Sequence, residues 1–153
     1  MEIYLQDSAA TERLGALLAS KLQDGDVLCL MGDLGAGKTL LTRGLGVALG
    51  VPAEDVTSPT FTIMNVYQGN DVELRHFDLY RLNRPEELED IGFDEYCGGD
   101  GITVIEWADL FSEAMPEDCL SITIKHAGSG RKAYLQASGK RSQTILEEVE
   151  QAC

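Results

Sequence analysis

The sequence predicts an α/β fold in which a mixed β-sheet is flanked by helices. Stretches that are apolar at every position, typical of strands covered on both faces, alternate with stretches whose leucines recur at helical spacing. Two pairs of β-rich runs flank turn signals and predict antiparallel hairpins in the same sheet. At 153 residues, of which 44% are hydrophobic, the chain is long enough to bury one core. We therefore expect a single domain over residues 1–153.

The first elements are predicted to lead into a central strand. A short apolar stretch at Ile3–Leu5 precedes a helix that Asp7 or Ser8 caps and that Gly25 ends. The run Val27–Met31 is apolar throughout, which indicates a strand buried on both faces. A glycine-rich stretch follows this strand at once.

The remaining elements follow the same helical and alternating periodicities. They are a helix over Leu40–Leu49 ended by Gly50, a hairpin of Phe61–Tyr67 and Val72–Leu79, a short acidic helix after Pro85 that Gly92 ends or bends, a buried strand at Ile102–Ile105, a hairpin of Leu120–His126 and Lys132–Ala137, and a closing helix around Ile145–Val149.

Composition limits the classes of partner. The net charge is −14, and residues 51–120 hold seventeen acidic side chains against three basic ones. Such a surface repels phosphodiester backbones, so we expect no DNA partner, and RNA only through another protein. The four cysteines form no CxxC pair, which favours reduced thiols. With no basic leader and no apolar run of about 18 residues, the sequence predicts a cytoplasmic protein without a membrane partner.

Residues Gly32–Thr39 match the phosphate-binding pattern G-x-x-x-x-G-K-[ST], between an apolar strand and an amphipathic helix. Glycines let the backbone curl so that successive N–H groups point into one concavity. Lys38 supplies positive charge for the β- and γ-phosphates, and Thr39 supplies a hydroxyl for Mg²⁺. The motif predicts a P-loop NTPase-like domain that binds a nucleoside triphosphate.

Two acids are candidates to complete the magnesium site. Magnesium bound to phosphates takes a carboxylate at the tip of a neighbouring strand, directly or through water. Glu106 directly follows the buried strand Ile102–Ile105, and the alternative for it is a solvated carboxylate where that strand ends. Asp78 lies between Phe77 and Leu79, where an acid is costly to bury without a partner.

Three other features each have two interpretations. Trp107, the single tryptophan, fits ordinary packing or an aromatic wall beside the nucleotide or a partner. His76 fits a structurally satisfied histidine or a proton carrier. Ser58 and Thr60, either side of Pro59, carry hydroxyls placed to sense a γ-phosphate as switch segments do, or form a plain turn.

Together these motifs resemble the TsaE (YjeE) family, and the resemblance covers roughly residues 7–137. It rests on Gly32–Thr39, Thr57–Phe61, the run His-Phe-Asp-Leu-Tyr-Arg at His76–Arg81, Glu86–Glu89 with Ile91 and Gly92, and Ile105–Trp107. It implies an ATPase that uses ATP and Mg²⁺ and assists formation of N6-threonylcarbamoyladenosine in tRNA. The family member docks onto a complex of TsaB-like and TsaD-like proteins, which acts on the tRNA, and hydrolysis resets that complex.

The resemblance also implies roles for individual residues. Lys38, Asp78 and Glu106 are implied to be catalytic, and Thr39 and Glu106 to hold magnesium. Ser58 and Thr60 are implied to form the switch-like element. The nucleotide contacts are implied at Thr11, Asp33, Leu34, Gly35, Ala36, Gly37, Lys38, Thr39, Leu40 and Arg131, with Thr11 and Arg131 near the base. The family usually has a small hydroxyl residue where Leu40 stands, a departure that affects the helix rather than the phosphate ligands.

Three other functions are compatible with the same loop. A small-molecule kinase would need a basic lid, for which only Arg75, Arg81 and Arg84 are clustered, and the acidic middle segment would repel anionic acceptors. A GTPase would need an Asn/Thr-Lys-x-Asp loop, which the sequence lacks. A nucleotide-gated assembly factor would hydrolyse ATP only in complex. The assembly factor and the partner-activated ATPase are hard to tell apart by sequence. No arginine finger or general base is evident, so intrinsic turnover is expected to be weak in both.

Overall fold

In the computed structural model, which describes residues Met1–Cys153, the chain forms seven strands and five α-helices. The strands are β1 (Glu2–Leu5), β2 (Val27–Met31), β3 (Met64–Gln68), β4 (Glu73–Asp78), β5 (Ile102–Glu106), β6 (Leu120–Ala127) and β7 (Gly130–Ala137). The helices are α1 (Ser8–Ala19), α2 (Lys38–Ala48), α3 (Glu86–Asp90), α4 (Phe93–Tyr96) and α5 (Lys140–Ala152), with 3₁₀ helices at Ala53–Asp55 and Ala108–Ala114. None of the helices combines the length and apolar character that a membrane span requires.

One mixed sheet contains all seven strands in the order β1-β7-β6-β2-β5-β4-β3. Strand β2 is the middle strand and runs parallel to β5 and β6, while β4 runs parallel to β5. The hairpins β3–β4 and β6–β7 are antiparallel, and so is the pair of β1 and β7. The predicted mixed α/β fold and its central strand are therefore confirmed.

Helices cover both faces of the sheet. One core contains Leu28 and Leu30 of β2 together with side chains of α1, α2 and α5. The other contains Val27 and Cys29 of the same strand, packed against α3, α4 and the second 3₁₀ helix. Alternate side chains of β2 thus enter opposite cores, which is why the strand is apolar at every position.

Two predicted boundaries were wrong. Helix α1 ends at Ala19, with the Ser20 hydroxyl donating to the carbonyl oxygen of Leu17 at 2.6 Å, so it stops well before Gly25. The strand predicted from Phe61 begins instead at Met64, because the preceding residues form a turn in which Ile63 has a φ of 70°. Burial continues past a helix end, so apolar spacing does not identify where the helix stops.

Helices α1 and α2 approach each other at glycines, and this contact lies at the middle of α2. A Cβ on Gly44 would lie 2.2 Å from the Glu12 carbonyl oxygen, and one on Gly15 would lie 2.3 Å from that of Leu41. Side chains at these positions would force backbones apart, because neither carbonyl can turn away as a flexible side chain can. The middle of α2 is therefore held against α1 by backbone-to-backbone packing.

Gly44→Ala is expected to lower the free energy of unfolding by about 1–3 kcal/mol through overpacking, although alanine favours a helix. The matched control is Gly46→Ala in the same helix, where the nearest atom to a new Cβ is a side-chain methyl of Val56 at 3.2 Å. Urea denaturation measures both. A loss in Gly44→Ala no larger than in Gly46→Ala would contradict the close approach.

Candidate functional site

The loop between β2 and α2 is a concave turn built on glycine. Gly32, Gly35 and Gly37 have φ values of 142°, 78° and 115°, which side chains rarely allow. A Cβ at Gly32 would also lie 2.5 Å from the Ile124 carbonyl oxygen. No side chain caps the first turn of α2, so its first backbone N–H groups have no side-chain partner. The curl and the helix N-terminus together form a cradle suited to an anion.

Lys38, the first residue of α2, lies at the mouth of this cradle. Its Nζ donates to the carbonyl oxygens of Gly32 at 2.6 Å and Asp33 at 3.0 Å, and lies 4.1 Å from the centroid of a Trp107 ring. Burial lowers the pKa of the Lys38 ammonium, while the nearby carboxylates of Glu106 and Asp78 oppose that shift. The ammonium is held between the loop, the acids and an aromatic face.

Trp107 turns sharply out of β5 to reach Lys38. Its φ is 61°, an uncommon value for a residue other than glycine, and its ring lies 4.7 Å from the ring of Tyr80. Trp107 packs against the second core and also lines the cleft beside the loop, so both of its interpretations stay open. Unusual backbone conformations of this kind concentrate at functional sites.

The two predicted acids lie side by side. Asp78 and Glu106 are paired in the parallel register of β4 and β5, next to the end of β2, and both are buried. The Thr39 hydroxyl donates to the Glu106 carboxylate, at 3.1 Å from Oε2 and 3.3 Å from Oε1. Glu106 is thus not the solvated carboxylate of the alternative interpretation.

Asp78 has the partners that its burial requires. Its Oδ2 accepts a hydrogen bond from the Thr60 hydroxyl at 3.0 Å, and its Oδ1 accepts one from the Tyr80 backbone N–H at 2.9 Å. The hydroxyls of Ser58 and Thr60 lie 2.7 Å apart. The Ser58–Thr60 turn is therefore anchored to an acid at the centre of the site.

These residues surround one cleft of about 360 Å³. Its lining consists of Leu34, Gly35, Gly37, Lys38, Thr39, Leu40, Ser58, Thr60, Asp78, Tyr80, Glu106 and Trp107. The Asp33 side chain is not part of this lining, and that residue contributes its carbonyl oxygen to Lys38. Arg75, Arg81 and Arg84 are also absent from it.

A second recess of about 370 Å³ lies on the other side of the loop and shares Gly35, Gly37 and Leu40 with the cleft. Thr11 and Arg131 both line it, with Ala36. The Arg131 guanidinium lies 3.4 Å from the Gly35 carbonyl oxygen. The recess is also lined by Asp7, Ser8 and Ser129, which the sequence analysis did not identify as site residues.

His76 connects the site to a residue that sequence reasoning missed. Its ring is fully buried, with Nε2 hydrogen-bonded to Oε2 of Glu106 and Nδ1 at 3.2 Å from the Tyr67 hydroxyl. Both ring nitrogens therefore have partners, as the satisfied-histidine interpretation requires. Tyr67 lies on β3, and nothing in its sequence neighbourhood marks it as a polar partner.

The residues present fit a magnesium–nucleotide complex. The glycine curl leaves room that side chains would fill, and the helix N-terminus favours a phosphate chain. Thr39 and Glu106 offer oxygen ligands of the kind that Mg²⁺ prefers, with phosphates supplying the others. Such a site can bind a polyphosphate and organise phosphoryl transfer to water or to an acceptor.

Comparisons with known proteins identify similar chains. The family model described as threonylcarbamoyl adenosine biosynthesis protein TsaE matches residues 5–133. The tRNA threonylcarbamoyladenosine biosynthesis protein TsaE of Bacillus subtilis (strain 168) is 43% identical over 140 residues, which cover 91% of this chain and 87% of that protein. The protein of the same name from Treponema pallidum (strain Nichols) is 39% identical over 132 residues, covering 86% of this chain and 96% of its own.

A solved structure is also similar over nearly the whole chain. The crystal structure of Bacillus subtilis YdiB superposes with a TM-score of 0.83 at 35% sequence identity. The superposition covers 99% of this chain and 95% of that one.

Proposed function

Because the chain belongs to the TsaE family, we propose that it binds ATP with Mg²⁺, hydrolyses it slowly, and assists threonylcarbamoyladenosine formation in tRNA. It acts in the cytoplasm on a complex of TsaB-like and TsaD-like proteins, which contact the tRNA. The observation that carries the proposal is the convergence of Lys38, Thr39, Asp78 and Glu106 on one cleft at the N-terminus of α2.

Each residue of the cleft has a separate task. The loop amides and Lys38 bind the phosphate chain, and Thr39 and Glu106 hold Mg²⁺, which neutralises charge on the phosphate oxygens when bound. Asp78, buried but lining the cleft, orients the attacking water. The recess with Thr11 and Arg131 receives the nucleoside end, because it adjoins the same loop.

Slow turnover is expected because no arginine side chain lines the cleft. An arginine that stabilises the transferring phosphoryl group contributes about 10³–10⁵-fold in related ATPases and GTPases. No arginine side chain lines the cleft, since Arg75 pairs with Glu73 and Arg81 lies over the ring of Phe61. We therefore expect partner proteins to accelerate hydrolysis.

The test measures phosphate release from MgATP by the protein alone, with TsaB-like and TsaD-like proteins, and with small anionic acceptors. We expect slow release alone, an increase of about tenfold or more with the partners, and co-purification of the partners in the presence of ATP. The acceptors should have no effect. Turnover that depends on a small acceptor would support the kinase instead, and failure to associate under any nucleotide condition would contradict the partner role.

A further inference from the structure

A line of buried polar groups runs behind the cleft, from Glu106 to the loop that precedes β3. Nε2 of His76 is hydrogen-bonded to the Glu106 carboxylate, and Nδ1 lies 3.2 Å from the Tyr67 hydroxyl. That hydroxyl accepts a hydrogen bond from the Thr57 N–H over 3.3 Å, and its oxygen lies 3.0 Å from the Thr57 carbonyl oxygen. Two side chains therefore connect the backbone of Thr57 to Glu106.

The hydrogen bond between His76 and Glu106 has a fixed donor and acceptor. A carboxylate only accepts hydrogen bonds, so Nε2 of His76 carries the proton that faces Glu106, and this sets the orientation of the ring. A histidine that needed only a partner for burial has many acceptors available, such as backbone carbonyls. Here the acceptor is the same carboxylate that the Thr39 hydroxyl contacts at 3.1 Å.

The loop also reaches the second acid, directly. The hydroxyl of Thr60 donates to Asp78 at 3.0 Å. The residues Thr57–Thr60 therefore contact Asp78 through Thr60 and contact Glu106 through the buried line. Both carboxylates at the centre of the cleft are tied to one short loop.

We propose that Tyr67 and His76 are positioning residues that couple the placement of the Thr57–Thr60 loop to the orientation of the Glu106 carboxylate. This rests on the proposed function, in which Glu106 is a magnesium ligand. Outer partners that orient a metal-binding carboxylate typically change metal affinity or activity by about 10–100-fold when removed. The coupling therefore acts on magnesium affinity before it acts on nucleotide affinity.

Tyr67→Phe tests the coupling, since it removes one hydroxyl and keeps the ring. The Mg²⁺ concentration for half-maximal ATP hydrolysis is expected to rise about tenfold, with the KM for ATP in saturating Mg²⁺ unchanged. A readout without turnover is the titration of Mg²⁺ into the ADP-bound protein, followed by fluorescence of Trp107, the only tryptophan and the neighbour of Glu106. Its midpoint should shift by the same factor.

A pair of variants at His76 adds a rescue. His76→Leu removes both hydrogen bonds and is expected to raise the Mg²⁺ midpoint at least as much as Tyr67→Phe does. His76→Gln retains an N–H donor towards Glu106 and should recover most of the affinity. No recovery with glutamine would contradict orientation through Nε2. Where His76→Leu does not fold, as judged by circular dichroism, Tyr67→Phe decides.

Tyr134→Phe on β7 is the matched control, because its ring lies beside Lys125 and outside the cleft. A Mg²⁺ midpoint in Tyr67→Phe equal to that of Tyr134→Phe would overturn the coupling, whether or not the melting temperature falls. Wild-type protein that neither binds ADP nor hydrolyses ATP would instead refute the proposed function. The two failures are therefore separable.

Discussion

Replacing Lys38 with alanine is expected to reduce ATP hydrolysis by roughly 10²–10³-fold, the usual cost of removing a preorganised group that stabilises transition-state charge. The Lys38 ammonium lies within the phosphate-binding loop, bonded to the carbonyl oxygens of Gly32 and Asp33. Alanine leaves the loop amides but removes the only cation lining the cleft. The rate of phosphate release should be measured with the TsaB-like and TsaD-like partners present. The wild-type rate is expected to be highest there, so a large decrease can be quantified.

The control for this variant is Lys132→Ala on β7, which removes a lysine that lies outside the cleft and whose ammonium pairs with Glu2 at 4.0 Å. It should hydrolyse ATP at the wild-type rate. Thermal unfolding followed by circular dichroism establishes that both variants are folded. A folded Lys38→Ala protein with wild-type turnover would refute the assignment of the cleft as the phosphate site.

Glu106→Gln is expected to lower hydrolysis by about 10²-fold and to abolish the dependence of nucleotide binding on Mg²⁺. Glutamine keeps the shape of the side chain, and its carbonyl oxygen can still accept the hydrogen bond from Thr39. The substitution removes the negative charge that a divalent cation requires. Calorimetric titration of ADP with and without Mg²⁺ measures the second effect directly.

Glu54→Gln, in the exposed 3₁₀ helix at Ala53–Asp55, is the matched loss of one carboxylate away from the site. Its ADP affinity should still depend on Mg²⁺ as in the wild type. If Glu106→Gln behaves in the same way as Glu54→Gln, Glu106 does not hold the metal. Glu106→Ala, which also removes the partner of His76, should be impaired at least as strongly as Glu106→Gln.

Features encoded by contiguous residues were predictable from the sequence. The run Val27–Met31 identified the central strand because each of its side chains enters a core, one face or the other. The loop Gly32–Thr39 was recognisable because its backbone curl depends on its own glycines. The turn at Ile63 was missed, since a β-branched residue at positive φ contradicts local preference.

Local signals also placed each acid at the end of its own strand. Glu106 could be proposed because it directly follows an apolar run, and Asp78 because an acid between Phe77 and Leu79 is costly to bury without a partner. Local sequence signals did not show that these two carboxylates lie next to each other. Their adjacency follows from the parallel pairing of β4 with β5, in which Asp78 is opposite Glu106.

The sequence by itself determined the strands, the phosphate-binding loop and the residue types that a magnesium–nucleotide site needs. Only the tertiary structure decided that Arg131 reaches Gly35 and that Tyr67 and His76 connect Thr57 to Glu106. The physical reason is that backbone preference and periodicity act over a few neighbouring residues. Contacts between distant residues depend on strand order and register, which the packing of the whole chain selects.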